Sequence, residues 1–199
     1  MLQNFLLHGS NTLLIAALLI IASFAAAGVA PLFPLWILGG IALFYLSEYG
    51  WHRFVFHARP SKRAWVRYLQ HRLHYDHHVE PSRLDLLFLP LWFVIPNLVI
   101  TWLIAWAVIG NWQWALSLIF GAMLGLLYYE WVHYIAHIPY QPRTRFGRWM
   151  KKYHLWHHFK NEHYWFGVSN PVLDVVHRTY RQPEDVPRST TARVLHPEI

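Results

Sequence analysis

The fold class that the sequence predicts is all-α: an integral membrane four-helix bundle with a cytosolic histidine-rich helical cap. Three observations predict it. Of 199 residues, 55% are hydrophobic and only 14% charged, too apolar and too poorly charged for a soluble domain of this length. Four long apolar runs come in two hairpins. All 17 Lys and Arg residues fall in two segments, Arg53 to Arg83 and Arg143 to Arg193, between and after those hairpins. A net charge of +7 could point to nucleic acid, but basic segments alternating with apolar runs fit loops held at a membrane face, and no nucleic-acid partner is expected. The chain has no cysteine, so disulfides and thiolate ligands are excluded and any metal site must use nitrogen and oxygen.

Span one is expected over about residues 11–30, uncharged and rich in Leu, Ile and Ala, long enough to cross a hydrocarbon core of ~30 Å. A cleaved secretory signal is the competing reading, since Ala25, Ala26 and Ala27 resemble a cleavage site, but the positively charged start of such a signal is missing. Pro31 and Pro34 break the chain, and span two is expected over 34–51. Span three covers 86–109, with Pro90 and Pro96 read as kinks tolerated inside a bundle. After a turn at Gly110 and Asn111, span four covers 112–133, with Trp112, Trp114, Tyr128, Tyr129 and Trp131 at the interfacial levels.

Neither short connection contains Lys or Arg, whereas both long ones are rich in them. The positive-inside rule therefore puts the cap, 53–85 and 138–181, and the N-terminus on the cytosolic side. An amphipathic helix is expected from Gly147 to about Lys160. One membrane-embedded domain is expected over 1–181, with a weakly ordered polar tail over 182–199 that contains Pro183, Pro187 and Pro197.

The histidines carry the chemistry. They form four clusters at the cytosolic ends of the spans: His52 and His57; His74, His77 and His78; His133 and His137; His154, His157 and His158. Residues at i, i+3 and i+4 of a helix share a face, so each three-histidine cluster is expected to aim at a common point. His52 and His57, about 140° apart on a straight helix, are expected to serve different ions unless the helix unwinds between them. Ten imidazoles exceed what one ion accepts, and two ions with about five nitrogen ligands each is the natural count, with iron, zinc, copper and nickel all suited. His8, His163, His177 and His196 have no partners at helical spacing and read as packing or surface residues; His71 is left out of the ligand set. Glu48 and Glu130 precede their histidines on the same helical face, placed to accept a ring N–H and fix its tautomer, with an ion pair to arginine as the alternative.

In this order and spacing the clusters resemble the fatty acid hydroxylase and sterol desaturase superfamily, over Glu48 to about Asp174. The nearer likeness is to the fatty acid 2-hydroxylase branch: Glu48 and Tyr49 before His52 and Arg53, Leu87 to Pro90 after the second cluster, and Phe166, Gly167, Val168 and Ser169 followed by Asp174 after the fourth. The resemblance implies that the ten clustered histidines bind two iron ions, with zinc possible on isolation. It also adds Asp174 to Glu48 and Glu130 as residues supporting the ligands, and implies O2-dependent hydroxylation of a lipid acyl chain, with desaturation or a sterol, carotenoid or alkane substrate as the alternative. Longer family members carry a fused cytochrome b5 domain. This chain begins directly at span one, so electrons are expected from a separate protein such as a cytochrome b5 or ferredoxin type. Ser82 and Arg83 stand where the family has an Asp, and His177 where an aromatic is expected, which leaves the exact substrate open.

Two readings of other classes were weighed. A metal transporter would need polar residues crossing the membrane, and the ligands instead gather at one face. A zinc hydrolase would need a single open site, whereas no H-E-x-x-H is present and the ligands are too many.

Overall fold

The structure, a computed structural model, describes residues 1–196, and among these there is no strand. Pro197, expected in the tail, lies outside the described residues. The helices are α1 (Leu2–Leu6), α2 (Gly9–Ala26), α3 (Pro34–Gly50), α4 (Ala64–Gln70), α5 (Asp76–Val79), α6 (Leu84–Leu87), α7 (Leu91–Ile109), α8 (Trp112–His137), α9 (Arg145–Phe159) and α10 (Val172–Val176). Two π-helical turns continue α3 and α4, over Trp51–Phe56 and His71–Tyr75. The chain forms two compact units: Met1–Tyr45 with Leu89–Trp131, and Leu46–Phe88 with the chain from Val132 on.

In the first unit, three stretches are long and apolar enough to cross a membrane: Gly9–Ala26, Leu84–Ile109 and Trp112–His137, of which the second begins and the third ends in the other unit. They make the chain an integral membrane protein. Leu19, Ile20 and Phe24 on α2, and Ile100, Ile104 and Val108 on α7, are exposed, as side chains facing lipid would be. The core is a seam of Leu14 and Leu18 from α2, Val94 from α7, and Ile119, Met123 and Leu126 from α8. Against α8, α3 approaches backbone to backbone. A Cβ on Gly40 would sit 1.8 Å from the Leu118 carbonyl oxygen and one on Gly121 2.0 Å from that of Ile37, so only glycine fits at this crossing.

The boundaries differ from the expected ones for identifiable reasons. Span one stops at Ala26, four residues short of the expected end at residue 30, because Gly28 turns left-handed at φ 72° before the prolines are reached. Pro90 does not kink a helix but precedes one: it separates α6 from α7, and only Pro96 lies inside a helix. α3 has 17 helical residues, about 25 Å, and reaches further only through its π turn.

The second unit holds every clustered histidine. α8 extends into it as far as His137, and its last carbonyls and those just beyond are capped by Lys151 on α9, whose Nζ donates to Ile135, Ile138 and Tyr140 oxygens at 2.9, 2.7 and 2.9 Å. Arg148 likewise donates to the Pro142 and Arg143 carbonyls. Both cations are thus committed to backbone carbonyls. α9 starts at Thr144, whose hydroxyl oxygen accepts the Gly147 amide at 3.0 Å.

The tail expected to be weakly ordered is laid onto this unit as far as it is described. Ser189 and Thr191 donate to the buried carboxylate of Glu162, the Ser189 amide donates to Lys160 O at 2.7 Å, and Val186 and Leu195 are buried. Ser189 and Thr191 are thus tied to a buried carboxylate, which polarity in the sequence does not reveal.

Candidate metal centre

The ten clustered histidines come together as two groups of five. His52, His57, His74, His78 and His157 form one, and His77, His133, His137, His154 and His158 the other; within each group the candidate ligand atoms lie within 4.8 Å of one another. Eight of the ten are buried, and His57 and His137 are partly exposed. The groups abut, with the His78 and His158 rings stacked at 4.1 Å between centroids.

The three-histidine clusters do not each aim at one point, as was expected; each is split between the groups. Helix geometry explains it. At 100° per residue, i and i+4 are 40° apart on the wheel, while i+3 lies 60° to the other side of i. His74 and His78 therefore share a group and His77 faces the other; His154 and His158 share a group and His157 faces away; His133 and His137, an i, i+4 pair, stay together. His52 and His57, expected to serve different ions, share one. The π turn over Trp51–Phe56, with the His57 amide donating to His52 O at 3.1 Å, supplies the unwinding that brings residues five apart to one side.

Within the first group the Nε2 atoms face one another: His52 to His74 at 3.2 Å, His57 to His74 at 2.8 Å, His74 to His78 at 2.9 Å and His57 to His157 at 2.9 Å. In the second, His77 to His133 and His137 to His154 are both 2.9 Å. Three of these rings declare their tautomer. His52 Nδ1 donates to Phe166 O, His78 Nδ1 to Ala192 O at 2.7 Å and His157 Nδ1 to Tyr164 O at 2.8 Å, and a carbonyl can only accept. Their Nε2 atoms are then lone pairs pointed at other ring nitrogens, an arrangement that repels unless a cation lies among them.

The spacing fits one. Adjacent ligands of an octahedral ion with metal–nitrogen bonds of about 2.0–2.1 Å stand about 2.9–3.0 Å apart. Five such nitrogens with no carboxylate or sulfur among them make a donor set for a transition ion of intermediate softness. Burial, reinforced by neighbouring imidazoles, keeps His57, His74, His154 and His158 from protonating well below the ordinary range, and lowers His77 to about 3. The rings are therefore neutral and able to coordinate at physiological pH.

For His52, His78 and His157 the acceptor that orients the ring is a backbone carbonyl, whereas the carboxylates expected in that role take backbone amides and hydroxyls. Glu48 accepts the Ser169 amide at 2.9 Å and the Ser169 hydroxyl, and among the described residues it has no ion pair to arginine. Glu130 accepts the Leu89 amide at 3.0 Å. Asp174, wholly buried, accepts from Tyr153 OH at 2.8 Å, Thr179 OH at 2.6 Å, and the Phe166 and Gly167 amides at 2.9 and 2.7 Å, the last of which shares a peptide group with the Phe166 carbonyl that accepts from His52. Tyr164 and Ala192 had no signal in the sequence, since any residue offers a carbonyl, and Phe166 stood out only as part of the motif before Asp174.

The remaining histidines lie outside both groups. His8 bonds Ser10 at 2.8 Å, His71 bonds Asp76 at 2.9 Å, His163 lies beside Glu162, His177 stacks on Tyr49 and His196 packs near the Tyr75 ring.

Comparison with known proteins gives the same chemistry a family. Residues 36–179 match the fatty acid hydroxylase family. The dihydroceramide fatty acyl 2-hydroxylase FAH1 of Arabidopsis thaliana is 36% identical over 141 residues, 70% of this chain and 58% of that protein. The ceramide very long chain fatty acid hydroxylase SCS7 of Saccharomyces cerevisiae is 34% identical over 150 residues, 73% of this chain and 38% of that one. The chain thus spans well under two thirds of the length of these relatives. The solved structure of full-length Scs7p, in which only the hydroxylase domain is visible, superposes with a TM-score of 0.77 at 28% identity, covering 88% of this chain and 67% of that one. With most of its length matched and its histidines gathered into two ion-sized groups, the chain belongs to the fatty acid hydroxylase family.

Proposed function

We propose that this protein hydroxylates a lipid fatty acyl chain at the 2-position, as a membrane-bound oxygenase with two iron ions, using O2 and electrons from a separate donor protein. The observation that carries the reading is the pair of five-nitrogen groups, in a chain similar to proteins named fatty acyl 2-hydroxylases. His52, His57, His74, His78 and His157 would hold one ion, and His77, His133, His137, His154 and His158 the other. When bound, the irons supply the reduction of O2 and the oxidising power needed to break an unactivated C–H bond.

The chain's own residues do the rest. Burial keeps the rings neutral, backbone carbonyls hold three of them with Nε2 turned inward, and Glu48, Glu130 and Asp174 brace the surrounding segments. In this reading Pro34–Gly50 with its π extension is the fourth member of the bundle, and the histidine-bearing cap, 53–85 and 138–181, lies at the cytosolic face. The domain responsible is residues 1–181, to which the tail adds the Ala192 carbonyl that holds His78.

Position along an acyl chain is a problem of distance, because its methylenes are chemically alike and only a fixed head group sets which carbon meets the oxidant. Pro34 to His52 is about 27 Å of helix, nearly the full hydrocarbon thickness, so the site sits near the lipid head-group level and selects a carbon close to the carbonyl. Without cysteine the chain can hold no iron–sulfur cluster of its own, and the donor, a cytochrome b5 or ferredoxin type, docks on the basic face. Membranes containing the protein, given O2, a reductase with its donor and an acyl lipid, are expected to form a 2-hydroxy acyl product. A mid-chain alcohol, a double bond, or turnover with no donor added refutes the proposal.

A further inference from the structure

The two histidine groups differ in how the far side of each ring is held. An ion on Nε2 requires the proton on Nδ1. In the first group three such N–H donors have carbonyl acceptors, at Phe166, Ala192 and Tyr164. In the second, the Nδ1 atoms of His77, His154 and His158 are buried and meet no hydrogen-bond partner among the described residues. Without an ion, rings of the second group can carry the proton on Nε2 and share it, His77 with His133 and His137 with His154 at 2.9 Å. Binding there forces the proton to a nitrogen with nothing to accept it. Binding in the first group meets no such opposition, and the carbonyls make the ligands more basic.

The acceptors of the first group are themselves held firmly. Tyr164 and Phe166 flank Trp165, a fully buried aromatic residue whose backbone is left-handed at φ 59°, a conformation that persists only where its surroundings impose it. Those surroundings are the Trp165 amide donating to Thr179 O at 3.1 Å, its indole N–H to Arg181 O at 3.0 Å, and Asp174 receiving the next two amides. Gly167 completes the turn where a Cβ would stand 2.1 Å from Asn170 O. The third acceptor, Ala192 O, is fixed by the tail's bonds to Glu162 and by Arg193 donating to Val79 O at 3.1 Å.

We propose that the group of His52, His57, His74, His78 and His157 is the tight metal site, with Asp174 as a positioning residue acting through the 164–167 turn, and that the other group releases its ion first. This rests on the reading that both groups hold an ion. The test is a chelator titration of the purified full-length chain loaded with zinc, which has no redox chemistry to confuse the count, with bound metal measured by elemental analysis. Two steps of one ion each are expected, their midpoints separated about tenfold or more, the effect expected of a lost ligand-orienting partner. His154→Ala should remove the weak step and keep the tight one. Asp174→Asn should weaken the tight step by about 10- to 100-fold and leave the weak step in place, whereas general destabilisation would move both. Release of both ions from the unaltered chain in a single step, loss of the tight step in His154→Ala, or an equal shift of both steps in Asp174→Asn overturns the proposal. Should Asp174→Asn fail to fold, the curves of the unaltered chain and of His154→Ala decide the matter. Absence of any bound metal refutes the underlying metal reading, a result distinct from two ions of equal affinity.

Discussion

At the scale of single residues, function depends on a ring proton being in the right place. His77 and His157 lie in different groups although each belongs to a tight sequence cluster, so replacing either with alanine should remove one ion and not both. Elemental analysis of His77→Ala and His157→Ala is expected to give about one ion per chain, with turnover lost and membrane insertion retained, while His196→Ala keeps both ions. Acidification acts on the same atoms. His77 takes up a proton near the ordinary 6.5 in the unfolded chain and only near 3 when folded, so the unfolded form binds more protons between those values. The stability of the folded, ion-binding form is therefore full above about pH 6.5 and falls as the pH drops through that window, and metal retention measured from pH 7.5 down to 4 should decline without recovering at the acid end. Which ten histidines would gather was legible in the sequence, because histidines repeated at helical spacing share faces and meet at the ends of their helices. Their division was not, since i+3 and i+4 look alike in a string of letters and diverge only on the helix surface.

At the scale of elements, two features do the positioning. One is the π turn, the unwinding that the sequence reading allowed only as the exception to His52 and His57 serving different ions. The other is the glycine crossing of α3 and α8, where Gly40 and Gly121 bring two backbones into contact. Gly121→Leu or Gly40→Val should cost about 1–3 kcal/mol or more through overpacking, seen as a lower unfolding temperature in detergent. Gly39, one residue away, has open space at its Cβ, so Gly39→Ala should be neutral or raise stability by about 0.5–1 kcal/mol through helix propensity. Equal losses at Gly39 and Gly40 would contradict this packing. The spans were legible from hydropathy, but the crossing was not, because a glycine in an apolar run looks the same facing lipid or facing a helix. The tail was misjudged for a related reason: Ser189 and Thr191 read as solvated residues, yet their partner is the buried Glu162.

At the scale of the whole molecule, the proposed function sets a lipid substrate against a site at the cytosolic face of an integral membrane protein. That sidedness is part of the proposal and rests on the confinement of Lys and Arg to alternate connections. Cysteines introduced at Arg63 and Arg145 should therefore react with an impermeant reagent only from the cytosolic side, and labelling of either from outside intact cells would reverse the orientation. The central claim is acyl hydroxylation next to the carbonyl, and lipid mass spectrometry tests it most directly. Cells making the protein should accumulate 2-hydroxy acyl lipids that carry one oxygen atom from labelled O2, and cells making His157→Ala should not. The same lipid profile in both, or hydroxylation at any other carbon, would contradict the account.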